Sequence, residues 1–585
     1  MMSDTRKRLG DWLDRNRFGL ASGRADGFLA ILGLVSGVCA GFIIVGFRLS
    51  VTALQQLHMP GLPGDSFESL DPLTRFAVPT AGGLLIGIGF WLLAAPARTV
   101  GIVHVLERLH YHQGHMPLRN LLVQFVGGAV ALASGHSVGR EAPSVHLGAA
   151  FASIFGRRLT LPNNAIRTLI ACGAAAAIAA SFNTPLAGVV FAMEVIMVEY
   201  TIAGFVPVIL AAVAATAVTR AVFGGESVFY VPLLGITSLW DLVYIVLMGV
   251  LIGTISATFV RAVRSLSRRM ALLPIALPPI VAGLIVGVLA SVAPEVLGLG
   301  YDTVARALSG EILLVAALGI MLAKFVASVT CIAARVPGGL IGPTVVMGSL
   351  AGSGFAALVA GLPGESAQAP LFAMLGMGAL MAAVLQAPLA ALLALLEMTG
   401  NPLIILPAML AVVAASLTAK IAFGQESVFT HLMRDGGLDY HHDPVSQGLR
   451  RVGVTAIMNR NFVQCSRRMT QTEARQVLES QPQWLLFEPD EQEFQLLRAA
   501  DLALFVESAE SGESPDESVD LLAIPGTRFE LAAVHLQATL HEAREIIMRE
   551  GVEALYVQRP LAPMRFRTFG VVFRADVEAG YRLGP

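Results

Sequence analysis

Between about residues 27 and 440 the chain alternates apolar runs with short polar or Gly/Pro-containing joints, and very few charges fall inside the runs. Runs such as 77–95, and 242–255 with its flanks, approach the roughly 20 residues that span a bilayer as a helix. Others are shorter: 174–181 and 185–198 are interrupted by Asn183, Thr184 and Pro185, the pattern of tilted or broken helices. Helices broken at membrane depth surround polar sites, because their freed backbone groups must find partners. The pattern predicts an all-α polytopic membrane domain over 27–440, preceded by a polar tail over 1–26.

After about Asp443 the pattern changes, with acidic stretches at 488–493 (EPDEQE) and 507–517 (ESAESGESPDE) that no bilayer accepts. Residues 441–585 are therefore predicted to form a separate soluble α/β domain, long enough for its own core. Within it Glu473-Ala474-Arg475 recurs as Glu542-Ala543-Arg544, and each is followed by a strand-like run, 484–487 and 554–557. The tail reads as two βαβ-type units joined by the acidic Ser/Glu linker.

The membrane part is duplicated. Residues 223–229 (FGGESVF) reappear as 423–429 (FGQESVF), an offset of 200 residues that also aligns Phe125 with Phe325, Gly139 with Gly339, Pro143 with Pro343 and Gly148 with Gly348. A third pair, 183–187 (NTPLA) with 386–390 (QAPLA), is offset by 203, and a glutamate, Glu194 or Glu397, follows nine residues after each proline. Several matches in one order at nearly one spacing mark an internal repeat. Duplicated membrane proteins commonly fold as inverted repeats with the substrate site near the midplane, where discontinuous helices converge. The two halves are placed at about 27–230 and 240–440.

Composition agrees with this reading. Of 585 residues 55% are hydrophobic and 14% charged, with a mean hydropathy of +0.68, whereas soluble domains carry about 25% charged residues. A net charge of −2 and a pI near 6.6 supply no basic footprint for nucleic acid. Cys39, Cys172, Cys331 and Cys465 are scattered without a Cys-x-x-Cys pair, so neither a disulfide framework nor a zinc site is expected. Arg6, Lys7, Arg8, Arg15, Arg17 and Arg24 precede the first apolar run, which starts too late and runs too long for a cleaved signal peptide and places the N-terminus in the cytoplasm.

The candidate chemistry lies in residues 137–144 (SVGREAPS), where Arg140 and Glu141 are adjacent inside an apolar stretch. Gly139 and Pro143 describe a loop entering a helix, with the proline suited to the first turn. The matching stretch of the second half, 337–344 (PGGLIGPT), is glycine-rich and also precedes a helix start. Free N–H groups and the positive dipole end of a helix bind anions. Two such starts converging at the midplane hold a dehydrated anion without a full positive charge, which permits release. An ionised Glu141 competes with that anion and a protonated one withdraws, which suits a gate or a proton carrier; the alternative is an ion pair with Arg140 that fixes the loop.

Residues 139–143 (GREAP) resemble the Gly-Arg-Glu-Gly-Pro signature of the CLC family of chloride channels and chloride/proton antiporters. Residues 339–343 resemble that family's Gly-x-Phe-x-Pro loop, with Ile341 in the Phe place, and 426–429 its segment ending in a pore tyrosine. The resemblance covers about 27–440, and the tail resembles the paired cystathionine-β-synthase (CBS) domains attached to many members. It implies a homodimer in the cell (inner) membrane with both termini cytoplasmic, one chloride pathway per subunit, Glu141 as the gating glutamate, and backbone amides around Gly139, Arg140, Glu141, Leu340 and Ile341 lining the anion sites. The family's inner serine falls on Val100, beside Thr99, and its pore tyrosine on Phe429, so both hydroxyl donors are missing. The position of the antiporters' inner proton glutamate falls on Val195, as in the channel branch. Glu194 is about 100° of helix away, and its repeat mate Glu397 points to a shared structural role in satisfying helix ends.

The remaining polar groups have plainer readings. His104, Glu107 and His110 are read as part of a polar connection at the membrane surface, not a metal site. His136 and His146 flank the gate motif and are read as packed or exposed. Lys324 is open between a snorkelling or vestibule position and a direct anion role. In the tail, Arg574 and Asp576 after the strand-like 570–573 resemble the place where CBS domains contact a nucleotide ribose, but Phe573 replaces the usual hydroxyl residue. A dimerisation or gating scaffold is the leading use of the tail and adenine-nucleotide binding the second; no other cofactor is called for. Channel-like chloride conduction is the leading activity, chloride/proton exchange or transport of fluoride or nitrate the alternative. An intramembrane hydrolase with Glu141 as general base is remote, since neither nucleophile nor metal set accompanies the glutamate.

Overall fold

The computed structural model describes residues 16–21, 26–62, 64–199, 202–229, 231, 234–236, 238–362, 368–438, 444–490, 493–509, 518–562 and 565–580. The basic residues Arg6, Lys7, Arg8, Arg15 and Arg24, the domain boundary near 440 and most of the acidic linker lie outside them. The chain forms two compact units, one of residues 29–158 and 166–440, the other of 1–28, 159–165 and 441–585. The division near 440 agrees with the composition change, but the short segment 159–165 between two membrane helices belongs with the tail.

The first unit is built of helices, which are, in chain order, α1 (Asp26–Gln55), α2 (Pro72–Leu92), α3 (Gly101–Tyr111), α4 (Leu118–Ala133), α5 (Glu141–Arg158), α6 (Asn163–Phe182), α7 (Pro185–Phe191), α8 (Ile202–Phe223), α9 (Leu239–Met270), α10 (Leu277–Val292), α11 (Tyr301–Leu308), α12 (Leu314–Ala333), α13 (Ile341–Val359), α14 (Ala369–Leu385), α15 (Pro388–Thr399), α16 (Ile405–Leu417) and α17 (Val428–Asp435). Among the described residues eight helices are long and apolar enough to cross a membrane. Local chemistry starts several of them: Asp71 caps α2 through Thr74 N–H with Pro72 in the first turn, and Ser238 and Asp241 form a capping box on α9.

The expected break within 174–181 does not occur. That stretch lies inside the continuous helix α6, and the interruption comes just after it, at Asn183, whose φ of 57° ends the helix in the left-handed region. The repeat mate Gln386 does the same at the end of α14 with φ 53°. The expectation for 185–198 holds better: α7 passes into a π-helical turn, Ala192–Met197.

The duplication is visible as matched packing. A Cβ on Gly148 of α5 would overlap the backbone of Gly173 on α6, and one on Gly348 of α13 would overlap Gly376 on α14, so both helix pairs approach at their small residues. Phe47 meets Phe125 edge-on at 5.4 Å, and Phe259 meets Phe325 likewise at 5.5 Å. The halves also exchange caps. Glu397 accepts from the N–H of Leu186 (3.0 Å) and Ala187 (2.8 Å) at the start of α7, while Glu194 accepts from Leu389 (3.3 Å) and Ala390 (2.7 Å) at the start of α15. Reciprocal contacts of this kind are the signature of a two-fold relation, and they place Glu194 and Glu397 at helix ends as the recurrence suggested. Each cap satisfies two orphan amides, so Glu397→Ala is expected to cost about 1–2 kcal/mol. A lowered thermal unfolding midpoint in detergent, with Glu397→Gln in between, is the readout.

The second unit contains α18 (Pro444–Arg451), β1 (Phe462–Gln464), β2 (Arg468–Thr470), α19 (Gln471–Glu479), β3 (Trp484–Asp490), β4 (Glu493–Arg498), α20 (Ala499–Ala509), β5 (Ser518–Asp520), β6 (Arg528–His535), α21 (Leu540–Glu550), β7 (Ala554–Ala562), β8 (Arg565–Phe573) and α22 (Arg574–Ala579). A six-stranded sheet runs β1-β3-β4-β6-β7-β8. Strand β1 is parallel to β3 across α19, and β6 is parallel to β7 across α21, which are the two βαβ units expected. Glu473 and Glu542 lie in the first turns of α19 and α21 behind the N-caps Thr470 and Thr539, so their recurrence reflects capping. One apolar core, around Leu485 and Phe487, fills the first half and another, around Leu555 and Val557, the second, while a third cluster of Trp484, Leu486, Leu496 and Val571 joins the halves across the sheet.

Candidate functional site

The loops before α5 and α13 meet. Gly139 N–H donates to Gly339 O and Gly339 N–H to Gly139 O, both at 2.7 Å, in an isolated antiparallel bridge that joins the two repeat copies. Glu141, fully buried, opens α5 and sends its side chain to the start of the other helix, where Ile341 N–H donates to its Oε1 at 2.5 Å. Oε2 meets no hydrogen-bond partner among the described residues. A Cβ on Gly139 or Gly339 would overlap this carboxylate, so glycine is required on both sides for the carboxylate to reach the amide. The N-terminus of α13 therefore holds a carboxyl oxygen, the kind of acceptor that its N–H groups and dipole favour.

Arg140 is not paired with Glu141. Its guanidinium lies over Phe182 at 5.1 Å and over Tyr301 at 5.6 Å, and no ion pair joins it to a carboxylate among the described residues. Leu340, the N-cap of α13, and Ile341 are both buried. Gly139, Arg140, Glu141, Leu340 and Ile341 are thus one constellation. Val100 is the N-cap of α3, with Thr99 before it, and Phe429 lies buried in the first turn of α17. Helices α3 and α17 pack on each other. No hydrogen bond or ring contact links Val100 or Phe429 to Glu141 among the described residues. Val195 is buried in the π-helical turn, next to the cap Glu194.

Several polar groups lie elsewhere than their sequence suggested. His104 is buried inside α3 and not in a surface connection; its Nδ1 is 3.0 Å from Nε2 of His146, and Arg108 Nε donates to its Nε2 at 3.1 Å. His136, by contrast, is packed, one of the two places expected for it, with Nδ1 2.9 Å from Ser134 Oγ. Lys324 neither snorkels nor points at the bridge. Its fully buried Nζ donates to the carbonyls of Val296 (2.9 Å) and Gly298 (3.0 Å), fixing the loop before α11. Tyr301 was missed by the sequence reading. It opens α11 behind Gly300, a glycine with φ 70°, its ring is edge-on to Phe229 at 5.4 Å, and its buried hydroxyl has no partner. The only signal was its place in a glycine-punctuated loop, 298–302 (GLGYD). In the second unit Asp576 is exposed in the first turn of α22, and the ring of Phe573 packs on Trp484 at 4.8 Å.

The chain is a duplicated helical protein, with helices long and apolar enough to cross a membrane, whose two glycine-rich helix starts share one buried carboxyl group. A family model described as voltage gated chloride channel matches residues 82–420. A ClcB-like protein of Ralstonia nicotianae is 34% identical over 422 residues, covering 69% of this chain and 96% of that protein. The voltage-gated ClC-type chloride channel ClcB of Escherichia coli O81 is 31% identical over 399 residues, covering 67% and 95%. The protein belongs to the CLC family of chloride transporters. Among solved structures, a slow cyanobacterial Cl−/H+ antiporter is similar with a TM-score of 0.61 at 25% identity, covering 70% of this chain and 97% of its own. A eukaryotic CLC transporter shares the fold over 94% of this chain, with a TM-score of 0.61 at 19% identity.

Proposed function

We propose that the protein carries chloride across the inner membrane in a channel-like manner, with Glu141 as the gate. The observation that carries this is the carboxylate of Glu141 seated on Ile341 N–H at the start of α13. A carboxylate oxygen is a fair stand-in for a halide at such a cradle, so gate and anion contend for the same donors. Val195 at the inner proton position, with Glu194 committed to capping α15, favours conduction uncoupled from protons. The likeness to a Cl−/H+ antiporter at 25% identity keeps exchange as the second reading, with protons as a further partner.

Reversal potentials in planar bilayers under opposed chloride and pH gradients separate the two readings. Channel-like conduction yields a potential that follows chloride alone; a potential displaced by the proton gradient overturns it in favour of exchange. The C-terminal unit is read as a CBS pair serving a homodimer as a scaffold. Its two βαβ units, each with an apolar core and joined by a shared cluster around Trp484 and Val571, support that reading, and Phe573 packed on Trp484 argues against adenine nucleotide beside Asp576.

A further inference from the structure

The second unit contains a cavity of about 300 Å³, at the lower end of the roughly 300–1,000 Å³ of small-molecule sites. Its walls come from four separate stretches of chain: Arg17 and Phe18 in the helix of residues 16–21, Thr160 in the segment 159–165, Thr455 in the turn Val454–Ala456, and His535, Gln537 and Arg559 in the second βαβ unit. Two guanidinium groups and an imidazole line it, and among the described residues no carboxylate does. Arg559 faces Arg567 directly across β7 and β8, a like-charge pairing that destabilises a sheet unless an anion offsets it. No ion pair holds Arg559 among the described residues.

Two further observations point to a missing ligand. The hydroxyls of Thr160 and Thr455, both lining the cavity, are buried without a hydrogen-bond partner, although buried hydroxyls normally have one. Thr160 also holds φ at 51°, costly for a β-branched residue and a kind of strain that collects at ligand clamps. His535 contributes a donor of known direction: its Nδ1 accepts from Gln537 N–H at 3.2 Å, which leaves the proton on Nε2. Burial and the neighbouring charge of Arg559 lower the His535 pKa below the ordinary imidazole range, so near neutral pH it presents that N–H as a neutral donor.

We propose that this cavity binds a small phosphate-bearing anion, with Arg559 and Arg17 supplying charge and Thr160, Thr455 and His535 the remaining donors. Guanidinium forks match phosphate oxygens in geometry and charge, and the donors are spread over a volume that a lone halide does not fill. Arg17 Nε already donates to Leu159 O at 3.1 Å, tying the helix 16–21 to the segment that carries Thr160. That segment follows directly on Arg158, the last residue of α5, whose first residue is Glu141. Occupancy therefore fixes the chain immediately beyond the helix that bears the gate.

The test uses the full-length protein in phosphatidylcholine nanodiscs titrated with pyrophosphate by calorimetry. Saturable binding is expected, weakened at least about tenfold by Arg559→Ala, the loss of one charge-assisted contact, and less by Arg559→Lys. Thr160→Val removes a hydroxyl while keeping shape and weakens binding similarly, and chloride flux in each variant reports that the protein is folded. If phosphatidic acid doped into the nanodiscs displaces pyrophosphate, the natural ligand is a lipid headgroup; if it does not, a free phosphorylated anion is the ligand. No saturable binding of pyrophosphate by the wild type in either nanodisc, or equal affinity in folded Arg559→Ala, overturns the proposal.

Discussion

Replacing Glu141 with glutamine is expected to raise chloride flux at alkaline pH at least about tenfold and to flatten its pH dependence. Two like charges about 4 Å apart repel by about 4 kcal/mol at an effective dielectric of about 20, enough for the ionised carboxylate to keep an anion off the amides it occupies. Protonation removes that charge, so wild-type flux rises as pH falls. Glutamine keeps the shape without the charge and reproduces the protonated state at every pH. Efflux from proteoliposomes, measured at two pH values for both proteins, is the check. Abolished flux in a folded Glu141→Gln protein would falsify the gating role.

The second large effect is expected from a single methyl group. In Gly339→Ala the new Cβ overlaps the carboxylate of Glu141 and takes up the space beside Ile341 N–H. The carboxylate is the end of a flexible side chain and moves, but the methyl stays where an anion must sit. Overpacking of this kind costs about 1–3 kcal/mol, so flux at low chloride falls roughly tenfold to a hundredfold. The Glu141→Ala/Gly339→Ala double variant separates the causes. If the methyl obstructs the anion, removing the carboxylate does not restore flux; if it only displaces the gate, flux returns. Normal flux in folded Gly339→Ala would mean that the anion does not pass beside the glycine bridge.

The bridge was legible in the sequence because its chemistry is local. Gly139, Glu141, Gly339 and Ile341 sit at matching places in two copies of one pattern, and a repeat places equivalent residues about a common axis. The caps were legible for the same reason, since Glu194 and Glu397 recur at one distance from matched prolines. Tyr301 and Lys324 were not, because Lys324 holds a loop distant in sequence and the other repeat copy carries different residues at the matching places, Gly101 and Gln124. His104 was misread because spacing along α3 showed which residues share a face but not that α5 brings His146 to it. Asn183 and Pro185 follow residues 174–181 so closely that the sequence alone suggests an interruption within that run. Alanine-rich α6 continues unbroken to Phe182, where Asn183 turns the chain.

The exchange of caps between Glu194 and Glu397 bears on how the protein is made. Until residues 388–397 have emerged, the opening turn of α7 carries two bare amides in a medium with little water to satisfy them, and Glu194 has nothing to hold. The amino-terminal half therefore leaves the ribosome unfinished and is completed only by its younger duplicate. A chain cut between the halves is expected to assemble only when both pieces are synthesised together.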